Sequence, residues 1–327
     1  MISILIPTYN QVCVPLVEAM RHQAQQLQIP FEILVVDDGS SAEIQAENRR
    51  IEAWENCHYR ILPQNVGPAR IRNVLADQAH YPYLLFMDAD TMPASSTFLR
   101  SYWEQRMKGG IVCGGFIYER MNTPAMCPLR YQYGIQVEER SAEERNRQPY
   151  IQFISMCFLA DKEVFQTVRF DDTMHFGYED AWFGILLQQA AVPLKYIDNP
   201  VFHQTTDKAD DYLRKIRFSI QNLAAHRHRL QPYIRLLQWH HKAESLHLTR
   251  WIRLVFTWTE PWLVRNLTGT HPSMHLFAFY KLGYLCQWLI RHAALTTEKF
   301  PPLYNSVANR RASADHHSIE ADQYPWE

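Results

Sequence analysis

Short apolar runs alternate with amphipathic stretches along the first quarter of the chain. The apolar runs, each bounded by proline or polar residues, predict buried strands over residues 2–6, 31–36, 58–62 and 83–87. The stretches between them predict helices over residues 14–28, 42–55 and 67–79. Strands that alternate with helices in this way are typical of βαβ units and of a parallel sheet. We therefore predict an α/β fold with a mostly parallel, Rossmann-like sheet flanked by helices.

The remainder of the chain changes character twice. The pattern predicts further strands over residues 111–118, 151–159, 195–197 and 201–202, and an apolar helix over 179–191. Residues 136–149 are charged and poor in large apolar groups, which predicts a mobile loop or an exposed helix. Beyond residue 210 the pattern predicts long, basic, Trp-rich helices, and beyond 303 a disordered or loosely docked tail. We therefore expect an α/β domain over residues 1–210, a helical extension over 211–302 and a tail over 303–327.

Composition indicates a globular protein of a reducing compartment. Of the 327 residues, 47% are hydrophobic and 20% charged, which is enough for a sizeable core. The six cysteines are scattered without a Cys-x-x-Cys pair, which favours free thiols over a disulfide framework or a zinc site. The N-terminus lacks the basic region and cleavage site of a signal peptide, and no uncharged apolar stretch reaches about 18 residues. We therefore expect a cytoplasmic protein without a spanning helix.

The net charge of −1 conceals a strong asymmetry. Residues 212–311 hold 15 Lys and Arg against three acidic residues, a balance of +12. Residues 1–211 hold 18 basic and 27 acidic residues, a balance of −9, and the last sixteen residues add −4. A basic block in an otherwise neutral chain indicates a local anionic partner. Nucleic acid is excluded as that partner because no nucleic-acid-binding module accompanies the basic residues.

Polar clusters follow the predicted strands. The four clusters are Pro7-Thr8-Tyr9-Asn10, Asp37-Asp38-Gly39-Ser40, Asn65-Val66-Gly67 and Asp88-Ala89-Asp90. In parallel α/β sheets ligands bind outside the carboxyl ends of the strands, so these clusters are expected to share one edge. Asp88 and Asp90, two positions apart after a buried strand, can both turn toward one hard cation such as Mg²⁺ or Mn²⁺. Such a cation can stabilise the negative charge of a departing diphosphate.

Several other side chains are candidates with open alternatives. Asp38 can accept a hydrogen bond from a pyrimidine imide, with Tyr9 stacked on the base, or it can simply close a turn. Arg72 is favoured over Arg70 to face the cleft, where it binds a phosphate, pairs with Asp88, or does both.

Three residues beyond the first four strands complete the candidate set. Glu179 and Asp180 begin a helix, where a carboxylate can act as a general base or merely favour the helix dipole. His203 follows a strand and offers a ring nitrogen to a metal. A lone histidine is more often structural or exposed.

In order and spacing, these blocks resemble family 2 glycosyltransferases of the GT-A fold, across roughly residues 1–205. The matching segments are Ile4-Leu5-Ile6-Pro7-Thr8-Tyr9-Asn10, Val35-Val36-Asp37-Asp38-Gly39-Ser40, Asn65-x-Gly67-x-x-x-Ile71-Arg72-Asn73, Phe86-Met87-Asp88-Ala89-Asp90, Gly177-Tyr178-Glu179-Asp180 and His203. The resemblance implies a GT-A sheet and an inverting transferase. It also implies a nucleoside-diphosphate sugar as donor and Mn²⁺ or Mg²⁺ as cofactor.

The resemblance also implies a role for each matching residue. Residues implied to bind the donor are Pro7, Thr8, Tyr9 and Asp38 at the base and ribose, Arg72 at the diphosphate, and Gly67, Asp88 and Ala89 beside them. Asp90 and His203 are implied metal ligands, and Asp88 contacts the ribose or the metal shell. Asp180 is the implied base, and Glu179 orients the acceptor. The chain has Ile71-Arg72-Asn73 where the family usually has Ala-Arg-Asn.

The acceptor and the mode of action are less defined. The Gln-x-x-Arg-Trp motif of processive synthases is absent after residue 180, so the resemblance implies one sugar added per encounter. The expected donor is a UDP-sugar, and the expected acceptor is a glycan or lipid-linked hydroxyl in cell-surface polysaccharide or glycan biosynthesis. Two alternatives are a nucleotidyltransferase, which the lack of a Gly- and Lys-containing loop after strand one disfavours, and a noncatalytic nucleotide- or sugar-binding scaffold.

The basic helices allow two interpretations. Over residues 246–267, His247, Arg250 and Arg253 lie on one face, and Trp251, Leu254, Val255 and Trp258 lie on another. Such a helix can lie on an anionic membrane, which would make the protein peripheral at the inner face. Aromatic stripes at helical spacing are more often core, so packing on the catalytic domain or formation of a homodimer is the favoured alternative.

Overall fold

The computed structural model describes residues 1–120, 127–204 and 208–292. The strands within these ranges are β1 (Ile2–Thr8), β2 (Phe31–Asp37), β3 (Cys57–Ile61), β4 (Tyr83–Met87), β5 (Thr91–Pro93), β6 (Ile111–Cys113), β7 (Phe116–Ile117), β8 (Cys157–Asp161), β9 (Leu194–Tyr196) and β10 (Val201–His203). The first four match the predicted strands to within two residues at either end, because each is an apolar run bounded by turn residues.

Helices lie in many of the intervals between strands and make up most of the described chain beyond residue 208. They are α1 (Val14–Leu27), α2 (Ala42–Asn48), α3 (Pro68–Gln78), α4 (Phe98–Gln105), α5 (Pro128–Tyr133), α6 (Ala142–Asn146), α7 (Val164–Thr167), α8 (Glu179–Gln189), α9 (Ala209–Ala225), α10 (Arg227–Leu230), α11 (Arg235–Ser245), α12 (Thr249–Leu267) and α13 (Met274–Arg291). No helix of the described ranges has both the length and the apolar character that crossing a bilayer requires. The predicted tail, residues 303–327, lies outside these ranges.

The main sheet confirms the predicted α/β fold. Its seven strands run in the order β3-β2-β1-β4-β8-β6-β9, and only β8 is antiparallel to its neighbours. A separate sheet of three short strands, β5-β10-β7, lies beside the carboxyl end of β4. Because the loops after β1, β2 and β4 leave the same edge of a parallel sheet, their polar residues are brought together.

The core has one layer on each face of the main sheet and a third layer under the last helices. Successive residues of a strand point to opposite faces, so Ile4 and Ile6 join one layer and Leu5 joins the other. The third layer connects Ile185 of α8 with Tyr212 of α9 and with α12 and α13. The described residues all belong to one compact unit, so the helices after residue 208 pack directly on the α/β part.

The predicted strand over residues 111–118 is wrong in one respect, because it breaks at two glycines into β6 and β7. The two pieces belong to different sheets. A Cβ on Gly114 would lie 2.0 Å from the carbonyl oxygen of Asn199, and Gly115 has a φ of +74°. The close approach and the left-handed turn both require glycine, and together they redirect the chain.

Three other predicted elements are also corrected. The strand predicted over 151–159 begins only at Cys157, and the apolar residues before it lie in turns over the core. The helix predicted over 42–55 is α-helical only to Asn48 and continues as a 3₁₀ helix to Ala53. Of the two alternatives predicted for residues 136–149, a mobile loop or an exposed helix, the structure has a short helix, α6, that is mostly exposed. The correction concerns Arg145, whose side chain is buried and donates to the carbonyl oxygens of Glu138 and Gln152.

The orientation of α12 gives a stability prediction. Phe256 is fully buried and packs on Gly283 of α13, whereas Trp258, two residues later, is 80% exposed. We expect Phe256→Ala to lower the free energy of unfolding by about 3–5 kcal/mol in chemical denaturation, because it leaves a cavity in the third core layer. Trp258→Ala is the matched control and should change it by no more than about 0.5 kcal/mol. Equal losses from the two substitutions would contradict this orientation of α12.

Candidate active site

Asp90 and His203 are brought together by the small sheet, although 113 positions separate them in the chain. Strand β10 pairs antiparallel with β5 so that His203 lies opposite Thr91. The backbone N–H of Gln204 then donates to the carbonyl oxygen of Asp90 at 2.8 Å. As a result, Oδ2 of Asp90 lies 3.2 Å from Nε2 of His203. Two of the three predicted metal ligands are therefore neighbours.

The second ring nitrogen of His203 is held by a polar network that the sequence did not reveal. Nδ1 lies 3.1 Å from the Tyr118 hydroxyl and 3.3 Å from a guanidinium nitrogen of Arg130. Both Tyr118 and Arg130 donate to the same carboxylate oxygen of Glu138, at 2.8 and 2.7 Å. Because the Tyr118 proton is directed at Glu138, its oxygen can accept from Nδ1–H, which leaves a lone pair on Nε2 for a cation. In that tautomer the Arg130 guanidinium, which can only donate, is a neighbour of Nδ1 and not its hydrogen-bond partner.

This pair of side chains fits a Mn²⁺ or Mg²⁺ ion. A carboxylate oxygen and an imidazole nitrogen are donors that first-row divalent ions accept. Neighbouring ligands on one ion with bonds of about 2.1 Å lie roughly 3 Å apart, close to the 3.2 Å separation of Oδ2 and Nε2. Within the described ranges no group of three or more His, Cys, Asp or Glu side chains is placed to share an ion. Two protein ligands would leave most of the coordination shell to phosphate oxygens and water.

Asp88 is held by Arg72 and does not complete a three-ligand group. Its carboxylate accepts a hydrogen bond from the Arg72 guanidinium at 2.5 Å, and Arg72 also donates to the Pro68 carbonyl oxygen at 2.9 Å. Arg72 is buried and Arg70 is exposed, as the helix geometry predicts. A direct contact between Asp88 and a metal stays a prediction. The position beside Asp90 suits a bond to the ribose or to a metal-bound water.

Glu179 and Asp180 begin α8 beside the same arginine. Although burial opposes it, the charges of Asp88, Glu179 and Asp180 raise the pKa of Arg72. The Arg72 Nε atom and the Glu179 Oε2 atom are both buried without a hydrogen-bond partner in the described structure. Buried polar atoms without a hydrogen-bond partner are rare in folded proteins, and here they indicate a ligand that supplies the missing hydrogen bonds.

The turn that carries Glu179 is fixed by α9. Gly177 has a φ of +77°, and a Cβ there would lie 2.4 Å from the Ser219 side chain. Asn222 donates to the Gly177 carbonyl oxygen at 2.7 Å. Tyr178 follows in the left-handed region with a φ of 66°. The first helix of the C-terminal region thus holds the two carboxylates in place.

Burial and charge separate the carboxylates of the site into two classes. Burial raises the pKa of Asp88 to about 6 and, together with the charge of Asp180, that of Glu179 to about 7. Burial likewise raises the pKa of Asp180. For Asp90, burial is outweighed by the hydrogen bond and charge of His203, and the pKa is lowered. Asp90 is therefore the member best suited to hold a cation as an anion.

The predicted donor residues lie at the ends of β1 and β2. Asp38 is buried and accepts from the backbone N–H groups of Val66 and Gly67 at 2.6 and 2.9 Å. Burial raises its pKa to about 6, although those two bonds oppose the shift. A carboxylate has about four acceptor positions, so Asp38 can still accept from a base.

The other predicted donor residues lie around the same sheet edge. Thr8 is buried and donates to the Gln11 carbonyl oxygen at 2.9 Å, whereas Pro7 and Tyr9 are half-buried. Gly67 has a φ of +86°, and a Cβ there would lie 2.9 Å from the carbonyl oxygen of His175, so this turn requires glycine. Ala89 is partly buried against the first core layer.

The sequence of this sheet edge matches a known family. The profile described as "Glycosyl transferase family 2" matches residues 3–169, about half of the chain. The chain belongs to glycosyl transferase family 2. The matched segment contains β1 to β4 and the Asp-x-Asp turn, but ends before Glu179, Asp180 and His203. The positions of these last three residues rest on the geometry described above.

Related proteins match parts of the chain. A Haemophilus influenzae protein named as an uncharacterized glycosyltransferase is 31% identical over 96 residues, 29% of this chain and 38% of the relative. An Escherichia coli chondroitin synthase is 30% identical over 104 residues, 32% of this chain and 15% of the synthase. This chain therefore aligns with well under half the length of either relative. Residues 1–349 of S. aureus TarS match at 16% identity and a TM-score of 0.48, covering 89% of this chain and 91% of TarS.

The network behind His203 gives a prediction about cation binding. Tyr118→Phe removes the hydroxyl that holds Nδ1, so we expect the affinity for Mn²⁺ in the presence of UDP to fall by about 10–100-fold in titration calorimetry. Tyr131→Phe is the control, because it removes a neighbouring tyrosine hydroxyl that donates to the exposed carbonyl oxygen of Glu119. Unchanged affinity in the Tyr118 variant would contradict a positioning role.

The raised pKa of Glu179 gives a prediction about pH. Its ordinary value is 4.5 and burial raises it to about 7, so between these values the folded state retains a proton that the unfolded state releases. This carboxyl therefore stabilises the fold at low pH and loses that contribution as pH rises through the window. We expect Glu179→Gln to flatten the fall in unfolding free energy between about pH 4.5 and 7, as followed by denaturation at several pH values.

The matched control is Glu143→Gln, because the Glu143 side chain is 83% exposed. That variant should keep the wild-type slope, because Glu179 is intact. Asp38 and Asp88 contribute to the slope in both variants, so Glu179→Gln should reduce the slope without abolishing it. A wild-type slope in Glu179→Gln would show that the Glu179 carboxyl is not protonated in the folded state.

Proposed function

We propose that this protein is an inverting, metal-dependent glycosyltransferase that moves one sugar from a nucleoside-diphosphate sugar to an acceptor hydroxyl. The observation that carries the proposal is the convergence of two kinds of group. The Asp90–His203 pair, with its 3.2 Å separation, fits a cation. The carboxylates Glu179 and Asp180, whose pKa values are raised, lie near Arg72, whose hydrogen-bond partner Asp88 is two residues before Asp90. The Asp90–His203 pair would hold the cation that stabilises the departing diphosphate, and Glu179 and Asp180 would bind and deprotonate the incoming hydroxyl.

The donor half of the site is assigned to the ends of β1, β2 and β4. A bound Mn²⁺ or Mg²⁺ would offset the negative charge that develops on the departing diphosphate. Asp90 and His203 would hold that ion, and Arg72 would place a second positive charge beside it. Asp88 keeps the guanidinium in place through their 2.5 Å hydrogen bond and contacts the ribose or a metal-bound water. The pairing with Asp88 orients the Arg72 guanidinium toward the phosphate. It occupies only part of a group that has five N–H donors, so others remain for the phosphate.

The base of the nucleotide lies at Asp38 and Tyr9 in this proposal. Asp38 accepts from the imide N–H of uracil, and the half-buried Tyr9 ring stacks on the base, with Pro7 and Thr8 lining the ribose. Gly67 contributes by donating its backbone N–H to Asp38, and Ala89 lies between the two aspartates of the Asp-x-Asp turn, beside the donor. A UDP-sugar is the proposed donor because uracil is the base most frequent in the family. Thymine, with the same imide N–H, and guanine, with its N1–H, could donate to the same carboxylate, so both bases stay open alternatives.

The acceptor half is assigned to the start of α8. Asp180 removes the proton from the attacking hydroxyl on the side of the sugar opposite the diphosphate, which inverts the anomeric centre. One Asp180 oxygen accepts from the Ala181 N–H at 2.7 Å, which fixes the carboxylate. Glu179 orients the acceptor through its unpartnered Oε2 atom. A pKa raised toward neutrality suits a general base.

The acceptor is proposed to be a hydroxyl of a glycan or of a lipid-linked sugar, used in cell-surface polysaccharide or glycan biosynthesis at the cytoplasmic side. Addition is proposed to be nonprocessive because the chain lacks the Gln-x-x-Arg-Trp motif.

Two substitutions separate the two halves of the site. Asp180→Asn should lower turnover of a UDP-sugar by about 10²–10⁴-fold while donor affinity stays within a few-fold, because only the base is lost. Asp90→Ala should instead abolish Mn²⁺-dependent donor binding, as measured by calorimetry. Asp211→Asn is the control for both, since that carboxylate pairs with the exposed Arg214 on α9.

Two results would contradict the proposal. Normal turnover in Asp180→Asn would exclude this residue as the base. Full activity of the wild type in a strong chelator would exclude the cation from the reaction.

A further inference from the structure

The outward face of α12 carries a continuous apolar stripe. Its members, spaced at helical intervals and called here the tryptophan face, are Trp251, Leu254, Val255, Trp258 and Trp262. Their exposed fractions are 65%, 45%, 48%, 80% and 57%. The spacing of three, four, seven and eleven positions places them on one side of the helix, over about 16 Å of its length. Opposite them, Phe256, Leu263 and Leu267 are buried, so the core does not need the tryptophan face.

Exposed apolar side chains are concentrated in this one region. Of the eleven large hydrophobic residues that are exposed in the described ranges, eight lie between Trp239 and Trp262. The three outside the tryptophan face, Trp239, Leu246 and Leu248, lie in α11 or in the turn that leads into α12. Scattered exposed hydrophobic residues are ordinary, whereas a contiguous patch marks an interaction surface.

The charge around the tryptophan face is positive. Arg250, Arg253 and Arg265 are exposed on α12, and His247 is exposed just before it. The one acidic residue over residues 246–267 is Glu260, and it faces inward to accept from Arg217 at 3.1 Å. No carboxylate of this stretch is therefore available to balance the exposed arginines, which belong to the block with a balance of +12.

We propose that the tryptophan face docks on an anionic membrane surface, with α12 lying in the plane of the interface. Indole rings bury an apolar body and keep a polar N–H at the headgroup level, which suits them to this boundary. Arginines beside an apolar stripe can extend their charged ends to lipid phosphates. The expectation that the tryptophans are core is therefore corrected, although the opposite face of α12 does pack on the protein as predicted.

A bilayer is a better occupant of this face than a second copy of the chain. A twofold dimer through α12 would bring the same arginines of both copies to one interface, and residues 246–267 offer no free carboxylate to receive them. An anionic membrane accepts all of them at once. The proposal does not rest on the proposed enzymatic function, because lipid binding is measured without donor or metal.

The test is flotation of the full-length protein with vesicles of phosphatidylcholine and phosphatidylglycerol, compared with phosphatidylcholine alone. We expect binding to the anionic vesicles at low salt that weakens as salt rises. The triple variant Trp251→Ala, Trp258→Ala and Trp262→Ala should lose on the order of 100-fold in affinity, because it removes most of the inserted apolar area. Because the three side chains are exposed, its thermal stability should stay near that of the wild type.

A pair of charge variants separates local docking from general attraction. Arg250→Gln with Arg265→Gln should weaken anionic binding by roughly 25-fold, at about fivefold per arginine near the surface. Arg50→Gln with Arg147→Gln removes the same charge from arginine side chains that are 69% and 71% exposed elsewhere, and should change it little.

Three results would overturn the proposal. One is no flotation with anionic vesicles at low salt. Another is equal loss from the two arginine pairs. The third is a dimer in lipid-free sedimentation that the triple Trp variant dissolves while its vesicle binding is unchanged, which would assign the face to a second copy.

Discussion

The candidate site depends on the antiparallel pairing of two three-residue strands. Strand β10 lies against β5 with His203 opposite Thr91, and the Gln204–Asp90 backbone bond extends the pairing by one step. This ladder places a carboxylate and an imidazole from distant parts of the chain 3.2 Å apart. A slip of one residue would turn His203 to the opposite face of the small sheet, because side chains alternate along a strand. The cation-binding geometry is therefore a consequence of backbone register.

Buried charge connects this pair with the rest of the site. Arg72 donates a hydrogen bond to Asp88, and the charges of Glu179 and Asp180 help to raise its pKa. The charges of Asp90 and His203 in turn act on the pKa of Asp88. These interactions link the Asp90–His203 pair to Glu179 and Asp180 through the Arg72 guanidinium. The C-terminal helices take part in this link, since α9 fixes Gly177 and the turn before Glu179. These helices therefore do two things: α9 fixes the turn over residues 177–180, and α12 presents the tryptophan face to the outside.

The local features of the fold could be read from the sequence, and the long-range ones could not. Strands β1 to β4 are bounded apolar runs, so periodicity alone locates them. The break at Gly114, the late start of β8 at Cys157 and the buried Arg145 depend on contacts with distant segments, which a local pattern does not contain. The same limit applies to Tyr118, Arg130 and Glu138 around His203. Nothing in their spacing sets them apart, whereas the Asp-x-Asp turn and the Glu179-Asp180 pair follow recognisable local patterns.

Anomalous diffraction at the manganese absorption edge tests the central claim most directly, in crystals of the protein grown with UDP and Mn²⁺. The account predicts a single strong peak within bonding distance of Asp90 Oδ2 and His203 Nε2, in contact with the diphosphate of UDP. Diphosphate density beside Arg72 would agree with this arrangement. A peak bound elsewhere, or UDP bound with no manganese between Asp90 and His203, would contradict it.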